Sequence, residues 1–228
     1  MSAYQLYIAN KNYSSWSLRP WVLMQQLGVA FTERLQSFAA GSNWEAFRRF
    51  APNGRVPCLI DGAVVVWDSL AIAEYLAERH AGVWPADPVA RAYARSAAAE
   101  MHSGFPALRN HCPMNCGVRV RLNGMPVSVQ HELRRIDELW SDGLRRFGGP
   151  FLAGAQFTAA DAFYCPVAFR VRSYQLPLSA AAGAYAQRLL QLPAMQRWES
   201  EALLEPWREA EHEKETLMVG ELIEDRRV

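Results

Sequence analysis

The sequence lacks several features that would assign it to particular functional classes. Its 24 basic and 23 acidic residues leave a net charge of +1, without the basic excess typical of proteins that bind nucleic acid. No stretch approaches the roughly 18 consecutive apolar residues of a membrane-spanning helix. The N-terminus has no basic region followed by an apolar run, as a signal peptide would. We therefore expect a soluble, cytoplasmic protein that binds neither nucleic acid nor membrane.

Cysteine is also scarce, with four residues at irregular spacing, which does not support a disulfide framework. Cys112 and Cys116 are four residues apart, the spacing of a helical pair or of half a metal site. No second Cys/His pair follows at zinc-finger spacing, so we expect no metal. The prediction for all four cysteines is a free, buried thiol.

Half of the residues are hydrophobic and 21% are charged, which is enough for a sizeable globular core. In the first eighty residues, the spacing of hydrophobic residues switches repeatedly between that of a strand and that of a helix. Short β-prone runs alternate with amphipathic ones in the order β-α-β-α-β-β-α. The predicted strands are residues 4–9, 31–38, 56–60 and 63–67, and the predicted helices are 17–27, 44–50 and 68–79. This order predicts an α/β domain of thioredoxin-like arrangement over residues 1–80.

Residues 81–87 (AGVWPAD) have the composition of a linker, and after them we find only helical patterns. The predicted helices are 88 to about 109, 126–147, 158–174, 180–190 and 194 to about 210. We therefore predict an all-α domain over residues 88–228. Residues 199–228 hold ten acidic and four basic side chains, and either fold back on the basic helices or form a solvated terminus.

Three segments have residue types suited to ligand binding. In residues 55–59 (RVPCL), Pro57 opens a strand-like run, and a cis bond before it would expose the Val56 backbone to an extended ligand. The alternative is an ordinary edge-strand proline. Asp68 and Ser69 precede a helix, where they either cap it or hold a ligand with α-amino and α-carboxylate groups.

The third segment, residues 12–17 (NYSSWS), lies between the first strand and the first helix. Its hydroxyls either cap the helix or donate to an anion held at the helix N-terminus. A thiolate would be stabilised there, because the helix dipole and a hydroxyl donor both favour the charged form.

With these segments in this order, the whole chain resembles the soluble glutathione transferases. Ser14 and Ser15, with Ser17 and Arg19, are similar to the catalytic-serine motif of the zeta-type bacterial branch. Residues 51–57 (APNGRVP) resemble the segment of this family that contains a cis-proline. Residues 68–72 (DSLAI) resemble the family's element that holds the γ-glutamyl group of glutathione. Residues 158–161 (TAAD) match the capping box of a helix in the C-terminal domain.

The resemblance implies roles for individual residues. Ser14 would stabilise the thiolate of glutathione, with Ser15 as its rival. The Val56 backbone, beside Pro57, would pair with the cysteinyl part. The γ-glutamyl end would be bound by Asp68 and Ser69. Arg55 would reach the glycyl carboxylate or stay a solvated surface residue, and Thr158 and Asp161 would be structural.

The second-substrate pocket would be lined by the first C-terminal helix, and its candidate residues are Met101, His102, Phe105 and Arg109. The alternatives are core packing for the Met and Phe and an interhelical contact for His102. The chain departs from the zeta pattern, since Trp16 stands where that motif has cysteine. Ser173 also stands where the isomerase members have an arginine that binds their diacid.

The resemblance implies a homodimeric transferase, active in detoxification, that uses glutathione as co-substrate against a small hydrophobic electrophile. Alternatives are a non-catalytic binding or regulatory protein of the same fold, and a glutathione-dependent isomerase of the maleylacetoacetate type. A thiol–disulfide oxidoreductase would require Cys58 to be reactive, because it is the only thiol near the serines.

Overall fold

The computed structural model describes residues 4–38 and 41–227, which begin with a four-stranded sheet. Its strands are β1 (Tyr4–Ile8), β2 (Phe31–Leu35), β3 (Cys58–Asp61) and β4 (Val64–Val66). They lie in the order β2-β1-β3-β4, with β1 and β2 parallel and the other pairs antiparallel. The helices between and after them are α1 (Ser15–Gln26), α2 (Trp44–Arg48) and α3 (Ser69–Ala77). The predicted thioredoxin-like domain is confirmed.

Buried and half-buried side chains alternate along β1, which shows how the sheet packs against its helices. Leu6 and Ile8 are fully buried, whereas Gln5 and Tyr7 are only half-buried. Successive side chains of a strand point to opposite faces, so one face of the sheet carries the core. Helix α1 is itself buried along nine of its twelve residues. It therefore packs against other elements on more than one side.

The remainder of the chain is mostly helical, as predicted. Its helices are α4 (Pro88–Ser103), α5 (Pro106–His111), α6 (Val127–Phe147), α7 (Ala159–Ser173), α8 (Ala180–Leu190), α9 (Pro193–Leu203) and α10 (Ala210–Met218). Helix α7 is central, because nearly all its residues are buried and it contacts α1, α4 and α8. Through α7 the helical part packs directly against the helix that follows β1.

Two predicted helices are interrupted. The helix expected over residues 88–109 ends at Ser103, and Phe105 adopts a left-handed conformation with φ of 56° before α5 begins at Pro106. The residue before a proline disfavours the helical conformation, which explains the break. The helix expected to reach residue 210 ends at Leu203, and after Pro206 a separate helix, α10, begins.

The all-α prediction missed a two-stranded antiparallel sheet formed by β5 (Val118–Leu122) and β6 (Gly220–Asp225). The segment VRVRL alternates strictly, with Val118 and Val120 buried, and this period of two is a strand signal that the sequence contained. Arg121 pairs with Glu221 across the two strands, at 2.8 Å between side chains. The sheet ties the C-terminal end of the chain to the helical domain.

The acidic C-terminal segment folds back onto basic side chains. Glu199 accepts from Arg172 on α7, and Glu201 pairs with Lys11 of the N-terminal domain. Two further basic partners, Arg226 and Arg227, belong to the segment itself and pair with Glu199 and Glu213. Of the two interpretations of this segment, the structure therefore has the folded one. Within the two described ranges, no helix is both long and apolar enough to cross a bilayer.

Asp161, in the first turn of α7, connects several elements of the helical part. It is fully buried and accepts from the backbone N–H groups of Leu152 (3.0 Å) and Thr158 (2.9 Å). The hydroxyl of Tyr185 on α8 also donates to it, at 2.7 Å. Although burial raises the pKa of this carboxyl, the hydrogen bonds oppose that shift. One side chain thus holds the start of α7, the preceding loop and α8 together.

We expect Asp161→Ala to lower the free energy of unfolding by about 3–5 kcal/mol. The substitution leaves buried donors without an acceptor, and hydrogen bonds to a charged group are worth about 1.5–3 kcal/mol each. Tyr185→Phe removes one of these bonds only and should cost about 1–2 kcal/mol. Urea unfolding of both variants tests this. Equal, small losses would show that Asp161 is not the connecting residue.

Candidate functional site

A cavity of about 530 Å³ lies where the start of α1, the loop before β3 and the helical domain meet. Aromatic side chains form part of its lining, and arginines and two serines form another part. The aromatic residues are Tyr13, Trp16, Phe38, Trp44 and Phe47. The charged or hydroxyl-bearing residues include Ser14, Ser15, Arg55, Arg109, Arg170 and Glu215. The cavity therefore offers both apolar surface and positive charge.

Ser14 occupies the N-cap position of α1, but its side chain does not cap the helix. Its hydroxyl instead bonds to the hydroxyl of Ser17, with 2.7 Å between the oxygens. Ser17 Oγ in turn accepts from the backbone N–H of Ala9, at 3.2 Å. A hydroxyl that accepts from an amide still has its own proton to donate. In this structure the Ser14 hydroxyl donates to Ser17 Oγ. When a ligand anion attracts the Ser14 proton, Ser17 can turn its own proton to Ser14 Oγ in exchange.

The neighbouring hydroxyls differ from Ser14. Ser15 is the first residue of α1 and also lines the cavity. The Tyr13 hydroxyl donates to Glu213 at 2.5 Å, and burial raises its pKa well above the usual value. Tyr13 therefore keeps its proton, which is already committed to a carboxylate.

The segment before β3 contains the predicted cis peptide bond, between Val56 and Pro57. Because β3 lies between β1 and β4, Pro57 does not belong to an edge strand. Pairing of β3 with β1 begins at Cys58, so Val56 lies outside the ladder and reaches the cavity. Arg55 is exposed and also lies at the cavity.

Asp68 and Ser69 stand at the start of α3, and neither belongs to the described lining of the cavity. Asp68 caps the helix by accepting from the N–H of Leu70 at 2.9 Å, as the capping interpretation predicted. Its second oxygen, Oδ2, lies 3.2 Å from His102 Nε2. Ser69 Oγ is buried without a hydrogen-bond partner.

Of the four residues predicted for the second-substrate pocket, only Arg109 lines the cavity. Met101 is fully buried and Phe105 is nearly so, and both belong to the hydrophobic core. His102 pairs with Asp68, and burial lowers its pKa. The break between α4 and α5 explains the difference, since it places Arg109 on a separate helix.

Among the cavity residues that the sequence analysis did not assign to the site are Arg170, which it placed only near the diacid-binding position of the isomerases, and His212. Arg170, on α7, is buried and donates to the carbonyl of Cys112 at 2.7 Å, and burial lowers its pKa to about 10. His212, on α10, stacks against Tyr13 and Phe38, with ring centroids 5.0 and 5.1 Å apart. No local pattern marks His212, because it reaches the cavity only when the C-terminal segment folds back.

Positive charge surrounds the start of α1. The guanidinium of Arg19 is buried 4.0 Å from the ring centre of Trp16, and that of Arg109 lies 4.6 Å from it. Burial, together with Arg109 and Arg170, lowers the pKa of Arg19. Arg19 Nε and Nη1 have no hydrogen-bond partner. Three desolvated cations thus favour an anion in this region.

The cysteines are buried and free, as predicted. Burial raises the pKa of Cys58 to about 11 and that of Cys112 to about 12. In residues 4–38 and 41–227 there is no group of three or more His, Cys, Asp or Glu side chains that could hold a metal ion.

Three comparisons relate this geometry to known proteins. Residues 13–79 match the family model described as glutathione S-transferase, N-terminal domain. A Caenorhabditis elegans protein described as a probable maleylacetoacetate isomerase is 27% identical over 178 residues, which cover 76% of this chain and 81% of the relative.

Solved structures give the same fold. A theta class glutathione S-transferase from Xanthomonas axonopodis pv. citri, with glutathione bound, is 28% identical, with a TM-score of 0.63 over 86% of this chain and 97% of the other. A glutathione transferase homolog from Burkholderia GL BGR1, with bound glutathione, is 22% identical, with a TM-score of 0.64 over 89% and 98% of the two chains.

Burial of Cys58 predicts that its thiol is inert in the folded protein. With a pKa of about 11, roughly one thiol in ten thousand is ionised at pH 7. Iodoacetamide at neutral pH should therefore label none of the cysteines until urea unfolds the chain. Mass spectrometry measures the number of labelled cysteines. Rapid labelling of Cys58 in the native protein would contradict this.

Proposed function

We propose that this chain, whose N-terminal domain and overall fold are those of the glutathione S-transferases, is a glutathione transferase. It holds glutathione as a thiolate and presents the sulfur to an electrophile in the cavity beside α1. Support comes from the matched N-terminal domain and from similar structures with glutathione bound. Positioning and a lowered thiol pKa would supply the rate advantage.

The observation that carries the proposal is the state of the Ser14 hydroxyl. Ser14 stands at the N-terminus of α1 yet does not cap it, and its hydroxyl donates only to Ser17, which has a proton of its own to return. On rotation the Ser14 hydroxyl can donate to a thiolate instead. The α1 dipole and the arginine cluster around Trp16 favour the same negative charge.

Glutathione itself would be held by groups on either side of this serine. The Val56 backbone, beside the cis-proline, would pair with the cysteinyl part, and Arg55, exposed at the cavity, would reach the glycyl carboxylate. Ser69 Oγ, buried and unpartnered, suits the α-carboxylate, and Asp68 suits the ammonium group. Buried hydroxyls without a hydrogen-bond partner are rare in folded proteins, and this is why we assign the Ser69 hydroxyl to a ligand group.

Two of the alternatives receive less support. A thiol–disulfide oxidoreductase needs an accessible thiolate, and burial keeps Cys58 protonated. A non-catalytic binding protein would have no need of a hydroxyl at the N-terminus of α1 that leaves the helix uncapped beside a cationic cavity. The homodimer, the cytoplasmic location and the role in detoxification stay predictions, and light scattering tests the first of them.

A second candidate function is a glutathione-dependent isomerase of an acid substrate. Arg109 and Arg170 both line the cavity, and the partners that the structure gives their guanidinium groups are backbone carbonyls of Gly104, Cys112 and Pro166. A carboxylate in the cavity would therefore gain two charged donors. The relative described as a probable maleylacetoacetate isomerase supports this candidate. The small hydrophobic electrophile expected from the sequence stays the leading candidate, since aromatic side chains line the same cavity.

Ser14→Ala should raise the thiol pKa of bound glutathione by about one unit, corresponding to about 1.4 kcal/mol. Turnover should fall while glutathione affinity stays nearly unchanged, because the lost donor acts on the thiolate. The measurement is the thiolate absorbance of bound glutathione against pH, together with kcat.

Ser15→Ala is the matched control, since Ser15 lies next to Ser14 at the same cavity. The thiol pKa of glutathione bound to this variant should stay close to that in the wild type. If Ser15→Ala shifts the titration and Ser14→Ala does not, the donor is Ser15. If neither variant shifts it, serine catalysis is the wrong mechanism.

Arg109→Gln distinguishes the two candidate functions. Arg109 is only half-buried, so the variant should fold, whereas the buried Arg170 is a riskier target. KM for a cis-enedioic acid substrate should rise about tenfold or more, because a charge-assisted bond is lost. KM for the neutral electrophile 1-chloro-2,4-dinitrobenzene should change little. Equal changes for both substrates would remove the case for an acid substrate.

A further inference from the structure

The loop that carries the candidate serine is held by the far end of the chain. We call residues 10–14 the serine loop. The carboxylate of Glu205 accepts from the backbone N–H of Lys11 at 2.7 Å and from that of Asn12 at 3.4 Å. On α9, the indole N–H of Trp198 donates to the backbone carbonyl of Lys11. The backbone carbonyl of Ala202 accepts from the side-chain NH₂ group of Asn12. About 190 residues of chain separate the two sides of these contacts.

The serine loop transmits this restraint to Ser14. Backbone N–H groups of Tyr13 and Ser14 donate to the carbonyl of Asn10, at 3.2 and 2.9 Å. These bonds close a turn in which Lys11 and Asn12 are the central residues. A displacement of the two central amides therefore moves the hydroxyl that follows them.

Glu205 is placed where a carboxylate is not otherwise favoured. It is only 6% exposed, and it lies two residues after the end of α9, where the helix dipole favours cations. Burial raises its pKa, and the two loop amides oppose that shift. A buried carboxylate is tolerated only when its oxygens are bonded. The amides of the serine loop provide those bonds.

We infer that Glu205 is a positioning residue for the proposed thiolate donor, because its carboxylate fixes the backbone of the loop that ends in Ser14. This inference rests on the role of Ser14 proposed above. It extends the site beyond the residues that touch the cavity, to a side chain whose sequence position is 191 residues from the serine.

Glu201 provides a matched control on the same side of the loop. It also contacts Lys11, but through the side-chain ammonium group, which is shared with Glu33. Glu201→Gln therefore removes an acidic contact with the same residue and leaves the backbone of the serine loop untouched. Glu205→Gln alters the backbone contacts, since an amide oxygen replaces one carboxylate oxygen and an NH₂ group faces the other N–H.

We expect Glu205→Gln to raise the thiol pKa of bound glutathione and to lower kcat about tenfold, with KM for glutathione within about twofold of the wild type. Glu205→Asp, which keeps the charge, should recover part of the loss. Glu201→Gln should resemble the wild type. Amide hydrogen exchange at Lys11 and Asn12 should accelerate in Glu205→Gln only.

The inference is overturned if a folded Glu205→Gln variant keeps the wild-type thiol pKa of bound glutathione and the wild-type kcat. It is also overturned if Glu201→Gln lowers kcat as much as Glu205→Gln does. If Glu205→Gln does not fold, amide hydrogen exchange in the wild type decides, and unprotected Lys11 and Asn12 amides would overturn the inference. Absence of a glutathione thiolate in the wild type would remove the proposed function instead. Exchange at Lys11 and Asn12 would then still decide whether Glu205 holds the loop.

Discussion

Burial of α1 between the sheet and the helical domain is the constraint on which the site depends. The helix is buried along most of its length, and α7 packs against it from the helical side. Ser14 therefore starts an element that cannot shift without moving both domains. Such rigidity suits the role proposed for the Ser14 hydroxyl, because small misplacements of a group that meets an anion cost large factors in rate.

The electrostatics of the site follow from the same burial. Arg19 belongs to α1 and is enclosed by the rings of Trp16 and Phe163, so its charge is poorly solvated. Arg170 of α7 is equally buried. Poorly solvated cations attract an anion more strongly than surface arginines would, since the local dielectric constant is low. The cavity therefore favours an anionic group, as the proposed thiolate would be.

The C-terminal segment completes the site from the opposite side. Glu205 restrains the serine loop, and α10 brings His212 to the cavity, where its ring stacks on Tyr13. The pairing of β5 with β6 anchors this segment beyond α10. Acidic residues that look like a solvated tail in the sequence thus become part of the site, because their partners are distributed over the whole chain.

Local patterns in the sequence determined most of the elements. Alternation and turn residues predicted β1 to β4, and helical spacing predicted α1 and α6 closely, because these signals depend on neighbours within a few residues. The cis-proline at Pro57 and the cap at Asp68 were accessible for the same reason. The interruption before Pro106 and the alternation VRVRL were also local signals. The first would have corrected the end of α4, and the second would have predicted the missing strand β5.

Only the tertiary structure decided which side chains share the cavity. A continuous helix would place Met101 and Arg109 on neighbouring faces, yet one is core and the other lines the site, because the helix is broken at Phe105. Arg170 and Glu205 gain their roles from contacts with residues 58 and 194 positions away. Such contacts depend on how elements pack in space, and no period within the sequence encodes that distance.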